Sequence, residues 1–278
     1  MPTRPQGEQG SRASASGADP IPGRRDDRLH VQAPPRPLWR YRLIGRVLRI
    51  LTRTYSRLIL EGAELLPSGA SIICFSHQNW ADPFFVISAL PAAPRTHFFG
   101  PEQSDMSRGV RNRLMRWGGV AVPYRPGGRG LLAATRRVED LLAAGDFVAI
   151  AGEGRIHSGE SVILPLLEGP AYMALRSGVP LVPVAVNGTS WLGFRRRVRV
   201  RIGRPIMPVG ETPRRPRAET VQALSAEARA SLLLLVADFP DPPRSRWIGG
   251  RLTELFNDWP EGARPPVPPR GKAPGADT

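Results

Sequence analysis

Five short apolar runs constrain this chain more than any other feature: Ile72 to Phe75, Thr96 to Phe99, Val120 to Pro123, Phe147 to Ala151 and Pro180 to Val186. Each is too short for a stable helix and rich in branched or aromatic side chains, so each reads as a buried strand. Between them the spacing turns helical. Pro83 to Leu90, Gly109 to Trp117 (with Val110, Leu114 and Trp117 in phase), Leu131 to Ala144 and Gly169 to Ser177 are the predicted helices, several closed by glycine. Strands that alternate with helices in this way define an α/β fold, a largely parallel mixed sheet flanked by helices. Arg195 to Arg204, where Val and Ile alternate with Arg, adds a half-exposed strand, and Ala218 to Phe239 and Trp247 to Phe256 add two helices.

At 278 residues, 41% of them hydrophobic, the chain has material for one substantial core. We therefore expect a single domain over residues 61–259. Residues 1–37 and 260–278 are rich in Pro, Gly, Ala and Arg without apolar periodicity, and are expected to be disordered tails. Leu38 to Leu60 differs from both. At about 100° per residue, Tyr41, Ile44, Val47, Leu48, Leu51, Tyr55, Leu58 and Ile59 share one face of a helix and Arg42, Arg46, Arg49, Arg53 and Arg57 the other. Such a basic amphipathic helix suits a membrane surface, with its arginines among anionic headgroups, and it equally suits docking on the domain core.

The formal net charge of +15 comes almost wholly from arginine, since Lys272 is the only lysine. Guanidinium groups favour phosphate-bearing partners. A nucleic-acid-binding protein is one reading of that charge. No groove-reading motif or aromatic stacking pattern accompanies it, and we expect no nucleic acid partner. Cys74 is the single cysteine and sits in an apolar strand, an inert core thiol. The scattered histidines and absent cysteine cluster indicate no metal or organic cofactor. Without a spanning apolar segment or a signal-peptide core, the expected location is cytoplasmic, peripheral on the inner face of the cell membrane.

Chemistry enters where the first core strand ends. His77 follows Phe75 and Ser76, and Asp82-Pro83 five positions later looks like a helix start, with Asp at the cap and Pro at the first helical position. An aspartate across that turn can accept the Nδ1 hydrogen and leave Nε2 free as a general base. The pair alone is weak evidence, because Asp82 also serves as a plain helix cap. His30, His97 and His157 lack a partner at such spacing and read as structural or exposed.

The order of later blocks makes the pattern specific. Ala121-Val122-Pro123-Tyr124-Arg125 places an arginine after a strand. Gly152-Glu153-Gly154-Arg155-Ile156-His157-Ser158-Gly159 forms a glycine-rich loop after the next, and Val179-Pro180-Leu181-Val182-Pro183-Val184 follows. With His77 and Asp82, these four blocks over roughly residues 70–190 resemble the glycerolipid acyltransferase family, which includes the lysophosphatidic acid acyltransferases. The resemblance implies an O-acyltransferase that moves an acyl group from acyl-CoA or acyl carrier protein to the free hydroxyl of a lysophospholipid, most simply 1-acylglycerol 3-phosphate. It implies His77 as the base, Asp82 as its orienting carboxylate, and Arg125 and Arg155 as binders of the acceptor phosphate. Glu153 and Gly154 shape or line the same loop, whose N–H groups are candidates to stabilise an oxyanion. Ala151-Gly152 stands in place of the family's Phe-Pro, and Arg155 follows Gly154 directly. The second departure resembles a subgroup that reacylates lysophospholipids, so another lysophospholipid or a lipid-linked sugar stays open as acceptor. A membrane adaptor without catalysis is the reading if the His-Asp pair is incidental.

Overall fold

The computed structural model describes residues 38–101, 109–125, 127–208, 215–241 and 248–257. Both expected tails lie outside these residues. Seven strands form one sheet: β1 (Arg57–Glu61), β2 (Ser71–Phe75), β3 (Thr96–Pro101), β4 (Ala121–Tyr124), β5 (Phe147–Ala151), β6 (Leu181–Asn187) and β7 (Arg197–Ile202). The spatial order is β1-β7-β6-β2-β5-β3-β4. The five strands from β6 to β4 are mutually parallel, β7 runs antiparallel to β6, and β1 runs with β7. This is the expected α/β domain with a mostly parallel sheet.

Strand alternation divides the interior into two layers. Ile73 and Phe75 of β2 point to the same side as Phe147 and Ala149 of β5. They meet helices α1 (Leu38–Tyr55), α2 (Asp82–Ala89) and α3 (Gly109–Gly118). Ile72, Cys74, Val148 and Ile150 point the other way, against α4 (Gly128–Ala143), α5 (Gly169–Ser177) and α6 (Ala218–Val236). A last helix, α7 (Ile248–Phe256), packs on the loop after β6, where Thr253 Oγ1 accepts the Leu192 N–H at 3.1 Å. Trp247, the expected start of that helix, lies outside the described residues.

The N-terminal helix is shorter than its periodicity suggests. It ends at Tyr55, and Arg57 to Glu61 is the edge strand β1. Ser56 closes the helix by donating both its N–H and its hydroxyl to Thr52 O, after which Arg57 N bonds Arg196 O at 2.7 Å and β1 pairs in register with β7. Ladder bonds to β7 replace the last helical turn, so Leu58 and Ile59 leave the helical face assigned to them. The helix also has three sides where two were expected. Tyr41, Ile44, Leu48 and Thr52 are buried, whereas Leu43, Val47, Ile50 and Leu51 are exposed. Arg49 turns inward from the arginine face and donates to Ser88 O (3.1 Å) and Leu90 O (2.9 Å), satisfying carbonyls at the end of α2. Arg40 lies over the rings of Trp39 and Trp117, which links the start of α1 to α3. Among the described residues no helix is long and apolar enough to cross a membrane.

Candidate active site

The sheet order fixes where chemistry can occur. β2 and β5 are adjacent and parallel, yet β2 leads into α2 on one face and β5 into α5 on the other. Chain segments leaving neighbouring strands on opposite faces open a crevice beyond the strand ends, the usual ligand position in such sheets. His77 leaves β2 there, and Glu153 leaves β5 beside it.

The turn from β2 to α2 is built around one carboxylate. Asp82 is fully buried, and its Oδ2 accepts the main-chain N–H groups of Gln78 (2.6 Å) and Asn79 (2.7 Å) and faces His77 Nδ1 at 3.1 Å. The Asp-Pro pattern predicts Asp82 at the N-cap. Instead Ala81 holds that position without a side-chain bond and Asp82 is the first residue of α2, reaching back over the turn. Backward reach satisfies donors upstream of the helix and aims the same oxygen at the imidazole. With Nδ1–H directed to Asp82, Nε2 is the basic nitrogen. The His77 side chain keeps 14% of its surface exposed, enough to meet a ligand in the crevice. Phase is held by Phe75, whose ring meets the imidazole edge-on at 5.8 Å. Asn79 Oδ1 accepts Ala81 N, and Asn257 after α7 holds the outer side by accepting Trp80 N at 2.9 Å.

Glu153 joins the second block to this turn. Its Oε2 accepts the His77 N–H at 2.9 Å, and its Oε1 accepts Leu164 N at 2.9 Å. His157 Nε2 lies 2.8 Å from the same Oε1 but off the line of a hydrogen bond, and His157 N donates to His77 O at 3.3 Å. Glu153 is therefore engaged inside the protein on both oxygens, a frame for the loop in place of a substrate contact. His157 is a buried member of that frame. The glycines on either side are forced by space. A Cβ on Gly152 would stand 2.7 Å from Cys74 Sγ, and Gly154 has φ +66° with Leu167 Cδ1 2.2 Å from its missing Cβ. Gly154 N donates to Ala151 O at 3.3 Å, which draws this candidate oxyanion donor into the turn. Burial, reinforced by the Glu153 charge, pushes the Cys74 thiol up to about 12, in keeping with an inert core role.

The two arginines occupy different distances. Arg155 is exposed on the loop that Glu153 anchors. Arg125 is exposed at the end of β4, and β4 lies three strand positions from β2, about 14 Å at the usual strand spacing. Phe99 and Tyr124 stack at 4.6 Å just before Arg125 and stiffen that strand end. A cleft of about 510 Å³, lined by Arg49, Arg53, Leu60, Ser88 and Pro94 among others, opens at the opposite end of the sheet from His77. The crevice, with its buried carboxylate and imidazole, and not that cleft, is the candidate reactive centre. Among the described residues no cluster of His, Cys, Asp or Glu is arranged to hold a metal ion.

One site residue has no counterpart in the sequence reading. Glu160 is fully buried behind the loop, where Oε2 accepts Gly188 N (2.6 Å) and Oε1 accepts Ser190 N (3.0 Å) and Ser190 Oγ (2.5 Å). Burial pushes its carboxyl up to about 6, against the downward pull of those bonds from Ser190 and Gly188. The signal is slight: a second Gly-Glu pair seven positions after the first, and an Asn187-Gly188 turn after a strand.

The imidazole braced by a carboxylate lies within the stretch that the acyltransferase family model matches, residues 57–187. The matched stretch carries the His-x4-Asp and Glu-Gly-Arg blocks. The fold of the chain is similar to the crystal structure of the 1-acyl-sn-glycerophosphate (LPA) acyltransferase PlsC from Thermotoga maritima, with a TM-score of 0.54 and 21% sequence identity, covering 73% of this chain and 81% of that one. No curated protein matches the sequence.

Proposed function

We propose that the enzyme transfers a fatty acyl group from acyl-CoA or acyl carrier protein to the free hydroxyl of a lysophospholipid, with 1-acylglycerol 3-phosphate as the first acceptor. The observation that carries this reading is the line Asp82 Oδ2 to His77 Nδ1, which leaves Nε2 as the basic nitrogen of a partly exposed imidazole. In the proposed reaction His77 Nε2 takes the acceptor hydroxyl proton as that oxygen attacks the thioester carbonyl. The C–O bond forms, the tetrahedral intermediate collapses with loss of the C–S bond, and the imidazolium returns its proton to the leaving thiolate. Asp82 stabilises the transient positive charge on the ring. No acyl-enzyme is needed, because a thioester already provides a good leaving group.

Arg155 and Arg125 are assigned to the acceptor phosphate. Guanidinium forks suit phosphate oxygens, and both stand at strand ends on the same edge of the sheet as His77. Glu153 and Gly154 position Arg155 through the tight turn described above. For the membrane we assign the outer side of α1. Trp39, Leu43, Val47, Ile50 and Leu51 are exposed there, alongside the exposed arginines Arg42, Arg46 and Arg53. Apolar groups beside guanidinium groups suit the interface of an anionic leaflet, the inner face of the cell membrane.

Another lysophospholipid or a lipid-linked sugar is the alternative acceptor, with the same residues at the reacting atoms. The test is a panel of acceptors with labelled acyl-CoA and with acyl carrier protein, followed by headgroup-resolved product analysis. Phosphatidate as main product supports the reading. Acylation of only phosphate-free acceptors would overturn the assignment of both arginines.

A further inference from the structure

The segment that carries Arg155 is anchored by a buried carboxylate at each end. At one end Glu153 holds it to His77 N and Leu164 N. At the other end Glu160 is the node. Its carboxylate takes the N–H groups of Gly188 and Ser190 and the Ser190 hydroxyl, and its carbonyl accepts Asn187 Nδ2 at 2.6 Å. Gln78, next to the catalytic histidine, directs Nε2 to Gly159 O at 3.1 Å and to Glu160 O at 3.5 Å. Asp241 completes the node by accepting Glu160 N at 2.8 Å. Three strand exits, those of β2, β5 and β6, thus meet on one residue.

We infer that Glu160 is a positioning residue for acyl transfer, fixing the Arg155 segment against the His77 turn so that the acceptor headgroup and its hydroxyl are held in register. This rests on the function proposed above. A buried carboxylate is costly to keep unless its oxygens are well matched with donors, and here three donors converge on it from one loop. Two of them are main-chain N–H groups at the end of the strand beside β2, so moving Glu160 moves the floor under the segment between Gly154 and Gly159. Ser190 Oγ also reaches Ser158 O at 3.2 Å, a direct tie to that segment.

Glu160→Gln isolates the role. However the amide is turned, its NH2 faces either the Gly188 or the Ser190 main-chain N–H, and one of them loses its acceptor. In steady-state kinetics with acyl-CoA and lysophosphatidate, the variant is expected to raise the acceptor KM about tenfold while the donor KM stays within twofold. A merely structural role would reduce the active fraction, lowering the apparent kcat and leaving both KM values unchanged. In an Arg155→Ala background the same change is expected to raise the acceptor KM less than twofold further, because the anchor it positions is gone. Ser190→Ala removes one donor and the Ser158 tie without introducing a clash, and is expected to move the acceptor KM about threefold in the same direction. Unchanged acceptor KM in both variants, or full additivity with Arg155→Ala, would overturn the inference. Failure of the wild-type enzyme to acylate any lysophospholipid would instead overturn the function on which it rests.

Discussion

The main-chain N–H of His77 donates to Glu153 Oε2 at 2.9 Å, so the two sequence blocks 76 positions apart are joined by a hydrogen bond that precedes any contact with substrate. The proposed base and the loop that carries Arg155 are therefore parts of one hydrogen-bonded frame. That frame also contains Asp82, whose Oδ2 serves three groups at once.

Asp82→Asn tests the second of these joins. An amide cannot accept from Gln78 N, Asn79 N and His77 Nδ1 with the strength of a carboxylate, and it favours the wrong imidazole tautomer. We expect kcat to fall roughly a hundredfold or more and folding stability to drop about 1–3 kcal/mol, the usual cost of a poorly matched buried donor. A variant with wild-type kcat measured in the same assay would mean that Asp82 is only a turn-former.

Gly154→Ala addresses the loop geometry. At φ +66°, with Leu167 in the space of a Cβ, an alanine should cost about 1–3 kcal/mol. Gly69→Ala is the control, because nothing stands within 4 Å of its Cβ position, and it should stay within about 0.5 kcal/mol of wild type. Urea denaturation of both proteins compares them directly. Equal losses would deny the loop its special backbone.

The buried Glu160 carboxyl makes a prediction about pH. Its folded value of about 6 lies above the ordinary 4.5, so the folded state binds the proton more tightly than the unfolded chain does. The contribution of this group is therefore fully present below about pH 4.5 and is lost as pH rises through about 6, a change of about 2 kcal/mol. Asp82 is the charged neighbour that reinforces the upward shift, and Asp241 sits on the Glu160 main chain. Denaturant titrations of wild type and Glu160→Gln from pH 4.5 to 7.5 should show the wild-type advantage shrinking as pH rises. An advantage that grows with pH would contradict the burial argument.

On α1, Leu43 and Ile50 are exposed to solvent, so replacing both with Ser should leave thermal unfolding within a few degrees. If the outer face lies in a lipid interface, the double change removes apolar area from that contact, and partition onto anionic vesicles should weaken about tenfold or more. Flotation with phosphatidylglycerol vesicles measures it. Undiminished binding would place the membrane contact elsewhere.

Much of this architecture was legible because burial on both faces leaves a plain mark. β5 and α5 fall on their expected residues, and β2, β3, β4 and β6 lie within one or two positions of theirs at each end. The nearness of His77 and Glu153 was legible only through family resemblance, since it depends on β5 inserting between β2 and β3, a matter of topology that periodicity does not encode. Two kinds of feature escaped. Leu58 and Ile59 fit a helical face as well as a strand, and only the partner β7 decides between them. Glu160 binds donors 28 and 30 residues away through main-chain N–H groups, which carry no side-chain signature. The same holds for Arg49, an apparent surface arginine until α2 ends beside it.

The central claim is that His77 is the base for the acceptor hydroxyl. Its most direct test is the rate of labelled acyl transfer from acyl-CoA to lysophosphatidate by the purified wild-type enzyme and by His77→Ala at matched folded concentration. We predict a loss of at least about a thousandfold in kcat with substrate binding retained, as expected when a positioned base is removed. A His77→Ala enzyme that turns over at the wild-type rate would contradict the account.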